Sequence, residues 1–85
     1  MEVIFSPNAL EDLNYWKQKH NDKIIERIRQ LIKAIETDPF QGIGKPEPLK
    51  HKYSGWWSRR INREHRLVYK IEANIVTILT LREHY

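Results

Sequence analysis

Cysteine is absent from these 85 residues, so neither a disulfide framework nor a thiolate metal site is open to the chain. Glycine is scarce, at three residues, and no Gly-rich phosphate loop of the Walker type occurs. No apolar run approaches the roughly 20 residues that span a bilayer. The opening "MEVIFSPNAL" lacks the basic stretch and apolar core of a signal peptide. Internal repeats and low-complexity tracts are missing too. These absences lead us to expect one soluble cytoplasmic domain, residues 1–85, with a thin core and no membrane contact.

Positive charge is what the chain has in excess, and it is unevenly spread. Residues 1–40 hold six Lys or Arg against seven Asp or Glu, whereas residues 41–85 hold nine against four. From Lys50 to Arg66 there are six cations and one anion. A one-signed field of this kind attracts phosphates or acidic protein segments, and says nothing by itself about catalysis.

Local patterns order the chain. "EVIF" at 2–5 reads as a short strand. Ser6 and Pro7 make a helix start, and Leu10, Leu13 and Trp16 recur at helical spacing to about residue 19. Asn21 or Asp22 can cap a second helix, whose Ile24, Ile25, Ile28, Leu31, Ile32 and Ile35 trace one stripe. Pro39 stops it. Residues 40–55 read as loop, with a short strand or turn near Leu49 to Lys52. Three antiparallel strands follow at 56–62, 65–71 and 75–82, the last placed centrally. The expected class is α+β, with both helices on one sheet face.

Strand alternation sorts the charge. Trp57, Ile61, Leu67, Tyr69, Ile71, Leu79 and Leu81 are assigned to the helix side. The other face then collects Arg60, Arg66, Arg82 and His84, with Trp56 at its edge. Such cations can simply protect a sheet edge. Arginine forks also match phosphate oxygens, and aromatic platforms stack unpaired bases, which suits single-stranded RNA.

Two further residues stand out. Glu47 sits between Pro46 and Pro48, on backbone biased to extended, and reads either as a solvated loop acid or as a pre-positioned base. Lys45 and Lys50 beside it oppose any rise in its pKa. His84 is penultimate, so it is either a frayed end or, if β structure holds it beside Arg66, a general acid suited to neutral pH. His20, His51 and His65 share no metal-site spacing, so no metal or other cofactor is expected. The residues alone leave an enzyme and a non-catalytic RNA- or ribosome-binding module both open. A DNA-reading helix pair fits poorly, because the second helix has no spare face.

"GKPEPLKHKYSGWWSRRINREHRLVYKI" together with the terminal "HY" resembles the YoeB toxins of the RelE superfamily, over the whole length and most densely from Gly42 to Tyr69. The resemblance implies a RelE-like microbial ribonuclease fold and a metal-independent endonuclease that cuts mRNA in the ribosomal A site. It also implies a homodimer and inhibition by a YefM-like antitoxin, expected here to cover the basic sheet face. By motif position, Glu47 would be the general base, His84 the general acid and Arg66 the stabiliser of phosphorane charge. Arg60 and Lys50 would bind neighbouring phosphates, and Tyr85 would position the nucleotide or His84. The pairing of Glu with His follows the YoeB branch rather than RelE itself. One departure is Glu83, where those relatives carry an aromatic residue; alternation points it away from His84.

Overall fold

The computed structural model describes residues 1–83, Glu83 by its backbone alone; His84 and Tyr85 lie outside the described residues. The chain begins with strand β1 (Glu2–Phe5), then helices α1 (Pro7–Gln18) and α2 (Asp22–Thr37). Strand β2 (Glu47–Pro48), a 3₁₀ turn (His51–Tyr53), and strands β3 (Trp57–Arg60), β4 (Arg66–Glu72) and β5 (Ile75–Glu83) complete it. The five strands form one mixed sheet in the order β1-β5-β4-β3-β2, with β1 parallel to β5 and the other pairs antiparallel.

Both helix starts follow from capping chemistry. The Ser6 hydroxyl accepts from Ala9 N at 3.0 Å, with Pro7 at the first helical position, where no amide hydrogen is needed. Asn21 Oδ1 accepts from Ile24 N at 3.2 Å and opens α2. Asp38, just before Pro39, is extended (φ −152°), the conformation that proline imposes on its predecessor.

Burial of the α2 stripe supplies much of the core. Ile24, Ile28, Leu31 and Ile35 are buried, each contributing roughly 1.5–3 kcal/mol relative to exposure. On α1 the buried line is Ala9, Asp12 and Trp16, with Leu13 half-buried. Leu10, expected in that stripe, is 50% exposed. The small Ala9 and the polar contacts of Asp12 and Trp16 with β5 set the rotation of the helix, and these leave Leu10 outside. Among the described residues no helix is long and apolar enough to cross a membrane.

The sheet corrects two expectations. Glu47–Pro48, read as loop, is itself a strand, pairing with Ser58 and Trp57, while of the strand or turn expected near Leu49 to Lys52 the structure has the turn, a 3₁₀ turn at His51–Tyr53. The β4–β5 ladder is also irregular: Val68 faces Thr80, yet Tyr69 faces Ile78, so Leu79 is an extra residue on β5. That bulge reverses the alternation. Val76, Ile78 and Leu81 enter the core, while Leu79, assigned to it from sequence, is only half-buried. Ile61, Leu67 and Tyr69 are buried as expected, and Trp57 and Ile71 pack at the margin.

The turn between β4 and β5 puts both Ala73 (φ 51°) and Asn74 (φ 63°) in the left-handed region, the geometry of a tight type I′ hairpin. Asparagine tolerates this conformation; alanine does not. Ala73→Gly is therefore expected to raise the unfolding free energy by about 0.5–1 kcal/mol, the left-handed penalty less the entropy of glycine. Urea unfolding midpoints measure it, and an unchanged midpoint would mean that the turn carries no strain.

Candidate functional site

The face of the sheet opposite the helices carries the basic hairpin. Arg60 and Arg66 are cross-strand partners at the open end of β3 and β4, so their side chains share that face. One strand outward, Glu47 stands opposite Ser58. Arg66 reaches across β3: its Nη1 donates to Ser58 Oγ at 3.0 Å and lies 3.6 Å from Glu47 Oε2. The exposures are unequal, with the Arg66 side chain 16% exposed and that of Glu47 62%. A fixed guanidinium thus sits beneath an accessible carboxylate. This is the arrangement a phosphodiester could enter from solvent, with the carboxylate free to accept a proton and the cation already held.

Glu47 is held through its backbone. Pro46 and Pro48 restrict the chain on either side, and β2 is too short to stand without its register on β3. The approach to β2 is shaped by a second, buried guanidinium. Arg59 is fully buried; its Nε donates to Tyr69 Oη at 3.2 Å and its Nη1 to Ile43 O at 3.1 Å. Its Nη2 donates to Asp38 O at 2.6 Å and Gln41 O at 2.9 Å. Tyr69 Oη donates onward to Pro39 O. Burial pushes the Tyr69 phenol above its usual pKa, with the Arg59 hydrogen bond and charge opposing, so it stays a donor at neutral pH. The loop from Asp38 to Lys45 is wrapped on this cation. Gly44 (φ 86°) passes so close that a Cβ there would lie 2.8 Å from Leu31 Cδ2.

The other residues named from sequence are placed as follows. Trp56 is half-buried just before β3, with Lys70 Nζ 5.1 Å from its ring centroid, which keeps an aromatic surface and a cation beside each other. Lys50 is exposed and precedes the 3₁₀ turn, three residues after Glu47. Arg82 was expected to join Arg60 and Arg66. Its guanidinium instead lies 3.6 Å from the centroid of the Tyr15 ring on α1; a second register shift, between the Arg66–Glu83 and Val68–Thr80 pairs, breaks the alternation again at this point. Among the described residues no three His, Asp or Glu side chains gather in the manner of a metal site. His84 and Tyr85 lie outside the described residues.

The family model of the YoeB-like toxins of bacterial type II toxin-antitoxin systems matches residues 5–85. The chain belongs to that family. Toxin YoeB of Synechocystis is 52% identical over 85 residues, covering 100% of this chain and 98% of its own. A YoeB/ParE toxin from Agrobacterium tumefaciens superposes with a TM-score of 0.94 at 37% identity, with both chains covered completely. From Staphylococcus aureus, a YoeB dimer gives a TM-score of 0.91 at 43% identity, and a YoeB-YefM complex gives 0.89 at 44%. Both cover 100% of this chain and 98% of theirs.

Within this YoeB-family fold two residues escaped the sequence reading. Ser58 is buried and holds Arg66, yet nothing marked it except its place between Trp56 and Arg60 in the alternation. Arg59 had the better signal. It falls on the helix side, between Trp57 and Ile61, where an ordinary surface arginine has no place.

Proposed function

We propose that this toxin is a ribosome-dependent endoribonuclease that cuts mRNA in the ribosomal A site without a metal ion. The observation that carries the reading is the exposed Glu47 carboxylate 3.6 Å from the largely buried Arg66 guanidinium. Glu47 takes the proton from the RNA 2′-hydroxyl as that oxygen attacks the adjacent phosphorus. Arg66, already oriented by Ser58, stabilises the added charge on the phosphate oxygens, the work of a preorganised donor. His84 donates a proton to the departing 5′-oxygen. The products are a 2′,3′-cyclic phosphate, which water can open to a 3′-phosphate, and a 5′-hydroxyl.

Arg60 and Lys50 bind neighbouring phosphates in this scheme, Trp56 offers a stacking surface, and Tyr85 positions the nucleotide or His84. Arg82, exposed and stacked on Tyr15, offers a further phosphate contact on the side where α1 lies. The Staphylococcus YoeB-YefM complex and YoeB dimer support a YefM-like antitoxin as inhibitor and a homodimer as the free form. A ribosomal target places this single domain's action in the cytoplasm.

Toeprinting on translating ribosomes tests the reaction. Wild-type protein should create new 3′ ends in the A site that resist chelator and carry a cyclic or 3′-phosphate, and His84→Ala should create none. Ribosomes that bind the protein and keep their mRNA whole would make the chain a binding module rather than a nuclease.

A further inference from the structure

By strand pairing alone, the outer half of β5 is weakly restrained. Strand β1 accompanies β5 only from Ile75 to Ile78, so residues 79 to 83 run past its end. On the other side the ladder to β4 is interrupted by two register shifts. A strand with a broken ladder on one edge and none on the other frays easily.

Helix α1 takes the place of the missing strand. Ser6 Oγ donates to Leu79 O at 2.7 Å, and Trp16 Nε1 donates to Leu81 O at 3.2 Å. Between them the Asp12 carboxylate accepts from Leu81 N and from Thr80 Oγ1, both at 2.9 Å. From the β4 side, His65 Nδ1 lies 2.9 Å from Arg82 O. Asp12 is only 8% exposed, and among the described residues its hydrogen bonds all come from uncharged donors: Asn8, Thr80 and Leu81. Burying a carboxylate among neutral groups is costly, and the reaction scheme makes no use of this one.

We propose that Asp12 is a positioning residue for catalysis: by holding Leu81 and Thr80 it fixes the course of β5, the strand that leads in sequence to His84. This role rests on the nuclease reading above. A general acid must meet the leaving oxygen within hydrogen-bond reach, and a displacement of about 1 Å can lower a rate roughly 10²-fold. The carboxylate acts on the strand rather than on RNA, so its loss should change turnover and leave ribosome binding alone.

Asp12→Asn keeps a carbonyl acceptor for Leu81 N, and Asp12→Ala removes it. Measured on ribosomes carrying defined mRNA, Asp12→Ala should lower kcat by about 10- to 100-fold with KM unchanged, and Asp12→Asn should recover most of that loss. Amide hydrogen exchange at Leu81 should quicken in the Ala variant while exchange in α2 stays slow. Should the Ala variant fail to fold, Trp16→Phe, which deletes the donor to Leu81 O and keeps an aromatic ring in the core, should show the same fall in kcat. Faster exchange at Leu81 with wild-type kcat overturns the positioning role and spares the nuclease reading. Wild-type protein that leaves A-site mRNA whole overturns both.

Discussion

Glu47→Gln should lower mRNA cleavage by about 10²- to 10⁴-fold, the usual contribution of a general base, with fold and ribosome binding intact. The substitution preserves shape and removes only the ability to take a proton. Little stability is at stake, because the carboxylate is 62% exposed and its contact with Arg66 is a long 3.6 Å. With one partner this exposed and the contact this long, the pair is worth about 0–1 kcal/mol. Single-turnover cleavage on programmed ribosomes and a urea unfolding curve on the same variant separate the two effects. Cleavage at the wild-type rate would remove Glu47 from the chemistry. A loss of activity matched by a loss of stability would instead return it to the ranks of structural residues.

The second large effect falls on the fold. Arg59→Met should destabilise the protein by about 3–5 kcal/mol, within the range for removing one member of a buried polar network. Its guanidinium satisfies Tyr69 Oη and the carbonyls of Asp38, Gln41 and Ile43, and methionine satisfies none of them. Small domains have only about 5–15 kcal/mol in total, so much of that margin would go. Lysine is a poor substitute as well, since one ammonium cannot span four acceptors set out for a planar fork. Because the loop on Arg59 leads directly into β2, the variant should lose cleavage even where it remains folded. A urea midpoint equal to wild type would mean that water replaces the guanidinium without cost.

The two effects involve arginines on adjacent strands, Arg66 on β4 and Arg59 on β3, and the contrast between them shows how far the sequence can be read. The alternation Trp57, Arg59, Ile61 against Trp56, Ser58, Arg60 was legible, and it correctly put Arg60 and Arg66 on one face. The same rule failed near Leu79 and Arg82, because a bulge adds residues to one strand without leaving a mark in composition. Glu47 was visible through its flanking prolines, whereas its pairing with Ser58 was not; two residues of strand give no periodic signal.

What the sequence determined by itself was local or carried by a motif: the helix cap at Ser6, a second at Asn21 or Asp22, the apolar stripe of α2, the basic second half, and a string dense enough to carry the YoeB resemblance. Each of these is written within a few residues or within a recognisable string. Tertiary structure alone decided that Arg66 rests on Ser58 beside Glu47, that Arg59 is sunk beneath the loop, and that Asp12 stands in for a strand along β5. Those contacts join residues 8 to 69 positions apart, and strand register and helix rotation, which no local pattern encodes, decide them.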